Sequence, residues 1–180
     1  MIIRDLPIAI ASVLNGDAYH SALPGCRALV QGMTAQDVTG KVKTTAQLAK
    51  AALDTIGIHC LVSLPDIAPI DNVFAGADIA VVYVENPELN QGPRGTGKSA
   101  FELASKAWPI LAGHFFAPWS PLIFDGMLEG DCEDEGLVAW GVKFRCQTLI
   151  DTVVELLADE DGALLVTENG EPLLNSPTDP

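Results

Sequence analysis

The chain has 180 residues, of which 48% are hydrophobic and 19% charged, enough for one well-cored domain and too few for two. Its 24 acids against 10 bases give a formal charge of −14, which disfavours sequence-specific nucleic-acid binding as the main activity, because phosphate backbones are neutralised by Lys and Arg. No stretch approaches the roughly 20 continuous apolar residues of a membrane span, so no membrane partner is expected.

The first 40 residues carry the weakest pattern: an apolar segment from Ile8 to Leu14, then a loop rich in Gly, Pro and polar residues. Asp5 and Pro7 interrupt the opening apolar run and no basic leader precedes it, so it is not read as a signal peptide. At Thr44 the signal sharpens. Thr44 and Gln47 match a capping box, and Leu48, Ala49, Ala52, Leu53 and Ile56 recur at helical spacing up to Gly57, a C′ stop. Ile58 to Leu64 then reads as a strand ended by Pro65. Pro65 to Ala77 reads as a loop, and Asp78 to Val84 as a β-branched strand buried on both faces.

A polar loop from Glu85 to Gly97 leads into a helix from Ser99 to about Gly113, with Phe101, Ala104, Trp108 and Leu111 as its apolar stripe. Pro109 removes a backbone donor in the last turn and is expected to kink it. Leu122 to Glu129 and Val138 to Gln147 alternate as the arms of a β-hairpin. Val138, Trp140, Val142, Phe144 and Cys146 form its apolar face, with Lys143, Arg145 and Gln147 opposite. The predicted class is α/β in the α+β sense: a mixed or largely antiparallel sheet with a C-terminal hairpin, covered by two main helices. Residues 1–167 are expected to form a single domain and the polar, Pro-containing 168–180 a flexible tail.

Gly92-Pro93-Arg94-Gly95-Thr96-Gly97-Lys98-Ser99 fits the phosphate-binding pattern G-x-x-x-x-G-K-[ST] at every defined position. In a nucleotide site, backbone N–H groups between Gly92 and Gly97 would wrap the phosphates, Lys98 would bridge them and Ser99 would hold Mg²⁺. Against this, seven residues separate Val84 from Gly92, and Ser99-Ala100-Phe101-Glu102 is itself a capping box that starts the helix at Ser99. The βαβ alternation of a nucleotide-binding sheet is also missing after Ser99. The favoured reading is a glycine-rich turn entering a capped helix, with no cofactor and with Lys98 exposed. A small ATP- or GTP-binding protein using Gly92, Gly97, Lys98 and Ser99 is the alternative.

No G-x-S-x-G or H-E-x-x-H string occurs, and His114 reads as a packed or exposed histidine, so no catalytic residues are assigned. Asp125, Glu129 and Asp131 can share a strand face, where solvent or Lys143 on the neighbouring strand accounts for them. Cys26, Cys60, Cys132 and Cys146 are scattered without a C-x-x-C pair, and no metal site is expected; buried thiols are the simplest reading. Acids cluster at Glu129 to Glu135 and again at Asp159 to Asp161. These fit solvated turns, a metal site or an interface with a basic partner.

The order from Val82 to about Thr148 is a strand ending in Val84-Glu85-Asn86-Pro87, then Leu89-Asn90, then Gly95-Thr96-Gly97-Lys98-Ser99-Ala100, an Ala-rich helix and a hairpin. It resembles the Mu-like phage and prophage family assigned as tail terminators. The resemblance implies a virion protein that is not an enzyme, assembled in the host cytoplasm. It implies a hexameric ring of this chain that caps the tail tube and joins it to the head connector, with tube and connector proteins as partners. It also implies that the Gly-Thr-Gly-Lys turn is structural. Candidate interface residues are Asn86, Leu89 and Arg94 in the loop and Asp131, Glu133, Asp134 and Glu135 in the acidic hairpin turn.

Overall fold

The computed structural model describes residues 5–21, 28–30, 34–36, 42–63, 65–130 and 136–149. Among its described residues the N-terminal segment carries more secondary structure than its sequence pattern suggests. Helix α1 (Asp5–Gly16) buries Leu6, Ile10 and Leu14 at helical spacing, and a short helix α2 (Ala18–Ser21) follows. Strands β1 (Ala28–Val30) and β2 (Thr34–Gln36) lie where a loop is expected, and β2 pairs with β3 (Val42–Thr44) in a separate ribbon.

Helix α3 (Thr45–Ile56) ends at Gly57 as its sequence predicts, with φ +80° at the glycine. Gly57 answers a second demand as well: a Cβ there would lie 2.2 Å from the backbone N of Asn90. Strand β4 (Ile58–Val62) follows. The expected loop after it holds a strand, β5 (Asp66–Pro69), hairpinned onto β6 (Phe74–Glu85). Asp71 Oδ1 closes the turn by accepting from the N–H groups of Val73 and Phe74, both at 2.7 Å. Pro69 is tolerated because β5 lies at an edge.

A one-turn helix α4 (Pro87–Asn90) interrupts the second expected loop; α5 (Ala100–Leu111) and the hairpin β7 (Ile123–Gly130) and β8 (Val138–Leu149) complete the fold. The main sheet runs β1-β4-β6-β8-β7, with β5 beside the first half of β6; β1 and β4 are parallel and the other pairs antiparallel. This is an α+β domain with a mixed sheet, as expected, with α1 added to the two anticipated helices. Strand β6 pairs with β8 over its whole length.

Strand β6 is not equally buried on its two faces. Ala75, Ala77, Ile79, Val81 and Tyr83 are buried, while Gly76, Asp78, Ala80, Val82 and Val84 are half-covered. The buried face, shared with Ile58, Cys60, Val62, Val142, Phe144 and Cys146, meets α1 and α5 in one core. Helix α5 turns Ala100, Leu103, Ala104, Ala107 and Leu111 inward, a stripe offset from the expected one. Phe101 and Trp108 sit at its flank, half exposed, with ring centroids 4.9 Å from Trp140 and 5.2 Å from Phe124 respectively. Val138 of the expected apolar face of β8 is likewise exposed.

Candidate functional site: the glycine-rich turn before α5

The turn is built on two buried polar side chains at the end of β6 and in α4, Glu85 and Asn90. Asn86 caps α4, its side chain accepting from Leu89 N at 3.3 Å, with Pro87 in the first turn. That cap sets Asn90 facing inward, 1% exposed. Its amide nitrogen donates to Glu85 Oε1 and to the Lys98 carbonyl, both at 2.8 Å. Its amide oxygen accepts from Thr96 N at 3.0 Å and Thr96 Oγ1 at 2.7 Å. The Asn90 carbonyl accepts from Gly97 N at 3.1 Å. Gly95 passes so close that a Cβ would fall 1.9 Å from the Asn90 carbonyl oxygen, so only glycine fits.

The start of α5 is occupied by the chain's own acceptors. Glu85 Oε2 accepts from Ala100 N at 2.7 Å, which places a carboxylate at the positive end of the helix dipole. Ser99, with φ −71° and ψ 156°, is the N-cap and accepts from Glu102 N at 3.1 Å. Lys98 therefore lies before the helix, as the capping box predicts. It is not exposed, however: Nζ donates to the Tyr19 carbonyl at 3.1 Å and sits 3.6 Å from the Tyr19 ring centroid. The Tyr19 hydroxyl in turn donates to Glu102.

Behind Tyr19, His20 Nε2 meets the Tyr83 hydroxyl at 2.8 Å and His20 Nδ1 meets Asp17 Oδ2 at 3.2 Å. Burial pulls the His20 pKa down, against the opposing pull of Asp17. Burial pushes Asp17 up, but its bonds from His20 and Tyr19 outweigh that and hold it below the usual carboxylate range. Burial and the Glu102 carboxylate raise the Tyr19 phenol. These contacts tie α2, β6 and the start of α5 into one polar cluster.

Leu89 and Arg94 come together on a cavity of about 500 Å³ with Asp54, Glu88 and Pro93, whereas Asn86 is engaged as a cap. Asp131, Glu133, Asp134 and Glu135 lie outside the described residues. Gly92 opens the turn, its carbonyl accepting from Gly95 N at 3.0 Å. On the far sheet face, Asp125 pairs with Lys143 at 3.6 Å and with Arg145 at 3.3 Å. Asp78, which no sequence motif singles out, joins the same two cations at 3.1 and 3.0 Å. Burial raises Asp78 and the two cations lower it further, leaving it below its ordinary value. Cys60 and Cys146 are buried, and burial, with Asp78 nearby, pushes the Cys146 thiol up to about 12. His114 is exposed, 4.6 Å from the Phe116 ring. Among the described residues, no three His, Cys, Asp or Glu side chains are grouped to hold a metal, and no helix is long and apolar enough to cross a membrane.

Fold and site together define an α+β domain whose P-loop-like string is closed by internal hydrogen bonds. No family model and no curated protein matches the chain. Among solved structures it is similar to a chain in the virion of a native gene transfer agent particle, at 15% identity and a TM-score of 0.53. The match covers 80% of this chain and 94% of that one, and the likeness is one of fold.

Proposed function

We propose that the protein is a structural subunit of a virion, acting as a tail terminator: a hexameric ring that caps the tail tube and joins it to the head connector. The observation that carries the reading is the fold shared with a virion chain over nearly that chain's whole length. The order of motifs from Val84 to Ser99, which resembles the tail-terminator family, narrows it to the tail. The glycine-rich turn is then a structural joint. A phosphate at the start of α5 would meet the Glu85 carboxylate already bound to Ala100 N, and Lys98 is engaged with Tyr19 on the helix flank. Neither feature suits a nucleotide, whose phosphates need free N–H groups and a free lysine.

Electron microscopy of tail-tube protein polymerised with and without this chain tests the reading. Rings seated at one end of shortened tubes are the expected result. Unaltered tube lengths, with no protein at the ends, would contradict it.

A further inference from the structure

The sheet face away from α1 and α5 carries a groove of about 450 Å³ across β5, β6, β8 and β7. Its floor is Gly76, Gln147 and the Asp78–Arg145 ion pair, and its walls are Ile70, which leans within 3.2 Å of where a Gly76 Cβ would stand, and Ile123. Both walls are strongly exposed, Ile70 at 59% and Ile123 at 64%. Helix α5, which packs on β6 and β8, does so on the opposite face. Three strand spacings separate β5 from β7, about 14 Å, a width that admits one helix of about 10–12 Å diameter.

The chain itself supplies a segment of matching pattern. Strand β8 ends at Leu149, two residues beyond the groove floor at Gln147. Immediately after it, Ile150, Val153, Val154 and Leu157 follow the i, i+3, i+4, i+7 spacing of an amphipathic helix. Entering its own groove would require this segment to reverse at once through Asp151 and Thr152, since neither Gly nor Pro, the strongest punctuators, occurs between Leu149 and Gly162. A segment that leaves β8 without reversing can reach only another copy's groove.

We infer that residues 150–157 of one copy seat in the Ile70–Ile123 groove of the next, so that the ring is held by an exchanged arm. Such a contact joins two different patches, as a closed ring requires. The inference rests on the ring reading, since it needs a second copy.

Two double variants of the full chain test it by sedimentation velocity: a groove variant, Ile70→Asp with Ile123→Asp, and an arm variant, Val153→Asp with Leu157→Asp. At a concentration where the wild type is a ring, each variant alone is expected to sediment as a monomer, and to melt at the temperature of the wild type diluted below its assembly range. Mixed in equal amounts, they should form dimers of about 38 kDa, twice the 19.0 kDa chain, because one intact arm meets one intact groove. Variants that assemble like the wild type would overturn the arm while leaving the ring standing. Monomers that melt below the diluted, monomeric wild type and do not pair on mixing would overturn exchange in favour of an arm folded on its own groove. A wild type that never assembles would overturn the ring reading itself, and the arm with it.

Discussion

Asn90 holds the glycine-rich turn together, with four side-chain hydrogen bonds in a buried position. Asn90→Ala leaves the Glu85 carboxylate and the Thr96 N–H each short of a partner, so a loss of about 2–4 kcal/mol is expected in urea denaturation. Ser99→Ala should cost about 0.5–2 kcal/mol through the lost cap. Lys98→Ala should cost about 1 kcal/mol, from one hydrogen bond and the contact with Tyr19. Neither cost should depend on Mg-ATP, which at millimolar concentration should leave the melting temperature unmoved; a shift abolished by Lys98→Ala would restore the nucleotide reading. His59 carries a buried Nδ1 without a partner, and burial lowers its pKa from 6.5 to about 4. Its contribution is complete above about 6.5 and is lost as pH falls toward 4, because the unfolded imidazole takes up its proton first. His59→Leu should therefore gain about 2 kcal/mol more at pH 5 than at pH 8, measured by denaturation at both. The Ser99 cap was legible in the sequence because its partner lies three residues away. The Lys98 contact was not, because Tyr19 is 79 residues distant and nothing in the spacing of either residue announces it.

Small residues, more than large ones, decide how α5 meets the sheet. Ala100, Ala104 and Ala107 let its backbone approach β6 and β8, while Phe101 and Trp108 cover the flanking aromatics. Reading the stripe from the largest apolar side chains therefore rotated the predicted face. Ala104→Leu is expected to cost about 1–3 kcal/mol by overpacking a fully buried position. Phe101→Ala should cost less than about 1.5 kcal/mol, chiefly its pairing with Trp140. Thermal melts of the two variants distinguish these magnitudes. Elements marked by local punctuation, such as α3 with its stop at Gly57, were readable in advance. Strand β5 was not, because Pro65 and Pro69 are loop residues by local rule and are tolerated only by the edge position that the sheet order provides. The N-terminal strands were equally hidden, being three residues each, too short for an alternation to register.

At the scale of the whole molecule, the class of fold followed from the β-branched run that became β6 and the alternating run that became β8, the two longest strands among the described residues. The candidate site was legible as a string and misleading as chemistry: its glycines serve a close approach to Asn90, and the acceptor at the helix start is Glu85. What remains exposed is a sheet face with apolar walls and an ion-pair cluster, the kind of surface that protein partners cover. The ring we propose closes from six copies of this chain. Sedimentation velocity of the purified protein over a range of concentrations tests it most directly. Six copies of a 19.0 kDa chain predict a discrete species of about 114 kDa that is unchanged by nucleotide. A single 19.0 kDa species at every concentration would contradict it.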